Sequence, residues 1–259
     1  MNDLIACFIC FSYLIKLHES HTAELIIKSM AFFGMSYGLI RHTRIIHPSP
    51  GKLKAHEEAE WRSRVIGFIH AVILTIGSIF CFLEWPYPAN DGWSTTNPDV
   101  YYYPELFASI FVGYLQYDLL WLLWHKKENF DLASIVHHTL YIAITHYVLW
   151  GRFFIRPFAW LSLGELSTPF LHLRWFFAVL NQKQSKWYKL SSIFFVTSFL
   201  FTRVLCYGLG IVDIWLAREI LLQLPHGLHC VILGIHCGYA LNLFWAGKVF
   251  GALKKIVKK

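Results

Sequence analysis

The sequence predicts an all-α polytopic membrane bundle of about seven spans, and three observations carry that reading. Of the 259 residues, 56% are hydrophobic and 18% aromatic, too apolar for an ordinary water-soluble domain. Several apolar runs approach or reach the ~20 residues that cross a bilayer as a helix, and no linker between them is long enough for a separate soluble domain. Alternation of apolar and polar side chains with period two, the mark of a membrane β-barrel, is absent.

The first stretch, MNDLIACFICFSYLIKL, has a short apolar run, no Lys or Arg ahead of it and no small-x-small cleavage site behind it. It does not fit a signal peptide. An interfacial helix, a re-entrant helix and an eighth span all stay open. Seven spans are then expected at 25–46, 65–83, 104–124, 132–150, 158–180, 190–212 and 227–250. Residues 1–59 read as an N-terminal hydrophobic segment with the first span, and 60–259 as the main domain.

The loops between these spans set orientation. On one side lie Arg41, Arg44, Lys52, Lys54, Arg62, Arg64, Lys126, Lys127, Lys183, Lys186, Lys189, Lys248, Lys254, Lys255, Lys258 and Lys259. The other side has only Arg152, Arg156 and Arg218, together with Glu84, Asp91 and Asp99. Excess Lys and Arg marks the cytosolic side, so the C-terminus is expected in the cytosol. The net charge of +7 therefore follows topology rather than a continuous groove, which argues against a nucleic-acid partner. The tail KKIVKK favours an anionic leaflet, but Ile256 and Val257 occupy the places that a C-terminal di-lysine retrieval signal needs. The six cysteines show no disulfide framework, and Cys7-x-x-Cys10 sits in an apolar run where small core residues are the plain explanation.

Polar groups inside the spans are the candidates for function, because each is costly in hydrocarbon unless it faces a partner or a cavity. Counting ~1.5 Å per residue from the basic flanks puts Asp118 roughly 12 Å, His137 roughly 15 Å and Arg174 about 13 Å deep. His70 and Asn242 come out roughly 9 Å in, Arg203 near ~21 Å and Glu165 near ~27 Å. Five spans thus contribute a polar group to one layer in the cytosolic half, which suggests a polar cavity. The pairs Asp118–Arg174 and Glu165–Arg203 can equally be ion pairs that fix helix register. His137 and His138 point ~100° apart on a helix, so one is expected to line the cavity while the other meets a neighbouring helix. A neutral imidazole there can act as base or nucleophile, with Asp118 orienting it. A packing histidine is the alternative.

Metal chemistry is not expected. Ser134 stands where an HxxHH box needs histidine, and His226, His229 and His236 lie toward the other end of the bundle. P-loop, GxGxxG and GxSxG elements are absent, so no cofactor is implied. Glu60–Arg64 read as topology anchors, with contact to lipid headgroups or coenzyme A phosphates as the other option. Pro169 is expected to kink its span, the freed carbonyl being met by Ser167 or Thr168.

These residues resemble the TLC-domain family, which includes the ceramide synthases. The likeness runs from about Glu60 to the C-terminus through EWRSRVIGFIH, GYLQYDLLW, IVHHTLYIAITHYVL and GELSTPFLHLRWFF. The last motif is most similar to the small transmembrane TLC-domain-containing proteins. The resemblance implies six helices around a lipid-accommodating cavity, with a helix preceding them in ceramide synthases. It also implies acyl transfer from acyl-CoA, as co-substrate, to a sphingoid amine through a His-His pair and a later His-Asp pair. Laid on this sequence, His137 and His138 match the first pair, whereas the second falls on Gly164 and Glu165, and a further Asp falls on Thr168. An acid is retained and a histidine lost.

The sequence therefore points to a lipid-handling protein of the endoplasmic reticulum or a related endomembrane, with a fatty-acyl or sphingoid lipid as partner and a role in membrane lipid homeostasis. An acyl-CoA-dependent N-acyltransferase using His137 or His138, with Asp118 or Glu165 orienting, is the alternative. Arg174, Arg203, His70 and Asn242 are the expected lipid contacts.

Overall fold

Long apolar runs whose backbone groups cannot reach water must satisfy them internally, and helices result. The structure, a computed structural model, describes residues 21–43, 53–83, 98–125, 131–151, 155–216 and 227–257, and every regular element within them is helical. In chain order these are α1 (His21–Thr43), α2 (Ala55–Leu83), α3 (Pro98–Trp124), α4 (Leu132–Gly151), α5 (Ile155–Ser162), a 3-10 turn (Leu163–Ser167) and α6 (Thr168–Val179). They are followed by α7 (Lys186–Phe199), a π-helical segment (Leu200–Cys206), α8 (Tyr207–Leu216) and α9 (Gly227–Val257). The N-terminal stretch 1–20, with Cys7 and Cys10, and the loop residues Arg152 and Arg218 lie outside the described residues.

Among the described residues, six helices are long and apolar enough to cross a membrane: α1, α2, Tyr102–Trp124 of α3, α4, the continuous Lys186–Leu216, and Gly227–Gly251 of α9. Their lengths run from 20 to 31 residues, and at ~1.5 Å rise even the shortest matches a ~30 Å hydrocarbon core. The expected span at 158–180 is no single helix. It breaks into α5, the 3-10 turn and α6.

Local chemistry fixes several ends. Asp131 caps α4: Oδ1 accepts from the backbone N–H groups of Ala133 and Ser134, at 3.0 and 3.3 Å, and Oδ2 accepts from Ser134 Oγ. α6 closes at Asn181, whose positive φ of 57° suits a short amide side chain, with Gln182 N–H donating to Phe177 O at 2.8 Å. A tight turn follows, and Ser185 Oγ then accepts from Tyr188 N–H to start α7. α6 and α7 therefore pack as an antiparallel pair.

α1 lies along α3, and Gly113 is what lets them meet. A Cβ there would come within 2.7 Å of both Ile26 O and Ser29 Cβ, and Ser29 Oγ donates to Ile110 O across the same contact. Apolar clusters fill the interior: Phe33, Trp61, Ile66, Tyr114 and Leu115 join α1, α2 and α3, while Ile144, Tyr207, Leu228, Val231 and Ile235 join α4, α8 and α9. Large apolar side chains also cover the outside, with Met35 70% and Leu233 65% exposed. No water-soluble bundle tolerates such a surface, whereas lipid solvates it. Trp124 and Trp150, at the ends of their helices, stand where indoles favour the membrane interface.

Candidate functional site

The site begins with a proline. Pro169 has no N–H to offer, and the chain ahead of it tightens to a 3-10 turn in which Thr168 N–H donates to Glu165 O. The carbonyl of Gly164, inside that turn, is also within reach of side-chain donors. Two side chains take it up: Ser167 Oγ donates at 3.0 Å and Arg203 Nε at 3.1 Å. The kink matches the sequence expectation; the carbonyl that Pro169 leaves without its N–H, Glu165 O, is met by Thr168 N–H, while Ser167 and Arg203 bond Gly164 O.

Arg203 comes from the π-helical segment, where one extra residue in the turn re-aims the side chains around it. Its Nε also donates to Ser167 Oγ, and its Nη2 donates to Glu165 Oε1 and Thr168 Oγ1, each at 3.1 Å. The Glu165–Arg203 ion pair anticipated from sequence is formed, both side chains being 15% exposed. Two distortions of helix, a 3-10 turn and a π turn, thus face each other and hold one charge pair between them.

This pair forms part of the wall of a cavity of about 60 Å³, room for a few water-sized groups, that continues into open space around it. Ile144, Val148, Phe158, Leu161, Val231 and Ile235 give it an apolar lining. Its polar groups are His137, Glu165, Arg203 and Asn242, all singled out from sequence, with Tyr141, Thr145, Ser162 and Tyr207 besides. Depth counting separates His137 from Glu165 by ~12 Å. The broken helix nonetheless brings both to one cavity. Tyr141 Oη and Tyr207 Oη lie 2.9 Å apart, and Tyr207 Oη donates to Ile235 O at 2.9 Å, so the hydroxyls chain α4, α8 and α9 together. Tyr141 was legible as the residue one helical turn beyond His137. Tyr207 carried no comparable signal.

The two histidines divide as their ~100° separation requires. His137 lines the cavity, its ring 4.6 Å from that of Tyr141 and 6.1 Å from that of Trp245, with no hydrogen bond among the described residues. His138 is buried and turned toward α3. Its Nδ1 lies 2.6 Å from Ser134 O, an acceptor only, so Nδ1 carries a proton. Its Nε2 lies 3.2 Å from Asp118 Oδ2, and Asp118 Oδ1 accepts from Ser63 Oγ at 3.3 Å. One proton is thereby shared between imidazole and carboxyl, and the pair is neutral in sum wherever it rests.

Asp118 is held by His138 and Ser63, so the Asp118–Arg174 pair considered from sequence does not form. Arg174 instead lies over the Tyr188 ring, 5.7 Å from its centroid, on the α6–α7 face and away from the cavity lining. His70 is also outside the lining. It is 2% exposed, stacks on Tyr114 at 3.7 Å, and leaves its Nε2 without a hydrogen bond among the described residues. Arg64 is fully engaged as well: Nε and Nη2 reach Glu60 at 2.8 and 2.6 Å, and the guanidinium covers Trp175 at 4.6 Å. That supports a structural anchor. His236 accepts from Trp215 Nε1 at 3.1 Å and faces Ile232 O through Nδ1, so neither nitrogen is open to a metal.

Comparison with known proteins matches the TLC domain to residues 60–250. TLC domain-containing protein 4-B of Xenopus laevis is 27% identical over 220 residues, 80% of this chain and 79% of that protein. TLC domain-containing protein 4 of Homo sapiens is 25% identical over 225 residues, 82% of this chain and 81% of that one. TLC domain-containing protein 2 of Danio rerio is 23% identical over 176 residues, 66% and 69% respectively.

Proposed function

The chain belongs to the TLC-domain family, and from that membership and the cavity's geometry we propose that it binds or handles a fatty-acyl or sphingoid lipid within the membrane, contributing to membrane lipid homeostasis. The observation that carries the reading is the lining of this cavity, apolar along most of its wall and polar at His137, Glu165–Arg203 and Asn242. A chain packs against the first surface and a headgroup against the second. The endoplasmic reticulum or a related endomembrane is the proposed location, with the C-terminus in the cytosol.

A second reading, an acyl-CoA-dependent N-acyltransferase, is favoured by one observation: His137 presents an unengaged ring to the cavity while Asp118 holds its neighbour. The chemistry of the pair argues for binding over catalysis. His138, which has the acid, commits both nitrogens to Asp118 and Ser134. His137, which meets the cavity, has no carboxylate among the described residues to orient it, and Glu165 is taken by Arg203. Acid, base and cavity do not converge on one atom as a nucleophilic triad requires.

Native mass spectrometry of the protein extracted from membranes tests the choice. Wild type is expected to retain a long-chain lipid that Val148→Trp, which fills the cavity, loses. Equal lipid content in both would remove the binding reading. Product formed from labelled acyl-CoA and a panel of sphingoid and glycerol-based acceptors, lost in His137→Ala, would replace it with the acyltransferase.

A further inference from the structure

The polar wall of the cavity is balanced in charge, and this restricts what it can receive. Glu165 neutralises Arg203 within the wall, and Asp118 neutralises His138 behind it. His137 has no acid partner among the described residues, and an unpaired cation in such surroundings is costly, so it enters as neutral imidazole. Asn242 is 4% exposed and makes no hydrogen bond among the described residues. Four groups remain to be satisfied by a ligand. Arg203 Nη1 offers donors, Glu165 Oε2 an acceptor, and Asn242 and His137 one or more of each.

The geometry points to a lipid whose headgroup is uncharged and both donates and accepts hydrogen bonds, of the monoacylglycerol or N-acyl-amide kind, as the ligand of this cavity. The inference rests on the lipid-binding reading and narrows it. A fatty-acid carboxylate reaching Arg203 would meet Glu165 already on the same guanidinium. A sphingoid ammonium reaching Glu165 would meet Arg203. Either leaves one net charge in a low-dielectric interior, where like-charge contact is poorly screened. Hydroxyl, ester and amide groups satisfy the same four partners without that cost.

Three photoactivatable probes sharing one chain test this on the full protein in nanodiscs: a monoacylglycerol, an alkyl sulfonate and an alkylamine. Cross-links to cavity peptides of α4 and α9 are normalised to those on the lipid-facing side of α1. The monoacylglycerol is expected to exceed each charged probe by about tenfold, a difference of ~1.4 kcal/mol. Glu165→Gln keeps an acceptor for Arg203 but uncovers its charge, so sulfonate labelling should rise by about tenfold in that variant. Equal cavity labelling by the three probes, or no rise of sulfonate labelling in Glu165→Gln, overturns the charge-balance inference while lipid binding stands. No cavity labelling by any probe overturns both.

Discussion

Asp118 accepts from Ser63 Oγ and shares a proton with His138 Nε2, and that arrangement predicts how substitutions there behave. In Asp118→Asn the amide oxygen still accepts from Ser63, and the amide N–H donates to Nε2 of an imidazole whose proton stays on Nδ1, facing Ser134 O. Every polar group keeps a partner, so the variant should unfold within about 1 kcal/mol of wild type. Asp118→Leu orphans both partners and should cost about 1–3 kcal/mol for each. Thermal denaturation of both variants in nanodiscs separates these outcomes. An Asn variant as unstable as the Leu variant contradicts the proton placement derived for His138. The same pair bears on mechanism, since a catalytic dyad loses its activity on Asp→Asn exchange even when its geometry survives.

At the scale of elements, the meeting of α4, α8 and α9 depends on Gly238. A Cβ at that position would press on Tyr141 Oη and come within 2.7 Å of Tyr207 Oη, the two hydroxyls that link these helices. Gly238→Ala is therefore expected to lower stability by about 1–3 kcal/mol, as overpacking of a tight core does. Tyr141→Phe removes the atom met first, so the double variant should regain part of that loss, as measured by a double-mutant cycle on thermal unfolding. Additive losses would show that the two positions do not compete for the same space. The broken span 158–180 shows what periodicity can and cannot convey. Its apolar content announced a membrane segment, and Pro169 announced a kink. The register of the 3-10 turn, and the π turn that brings Arg203 against Gly164 O, arise from partners 39 residues apart in sequence and have no local signature.

For the whole molecule, the helical fold was legible because bilayer length and backbone satisfaction leave few alternatives to a 20-residue apolar run. The site was legible only in part. Polar residues in spans are conspicuous, so His137, Glu165, Arg203 and Asn242 stood out, but so did Arg174 and His70, which depth alone placed in one layer with His137 and Asn242. Depth is one coordinate, and the rotation of each helix about its axis decides which side chains meet. The charge asymmetry of the loops adds a global prediction. Sixteen Lys and Arg residues bracket one side and three the other, so the α6–α7 turn and the C-terminus should share the cytosol, with the loop 217–226 opposite. Asn-X-Ser acceptors inserted singly after Gln182 and within 217–226 read this out as glycosylation in microsomes. Modification is expected in the 217–226 loop and not after Gln182. The reverse pattern would turn the bundle over and move the His137 end of the cavity to the lumenal side, out of reach of cytosolic acyl-CoA. That outcome would exclude the acyltransferase reading on topology alone, while leaving a lipid-binding cavity intact.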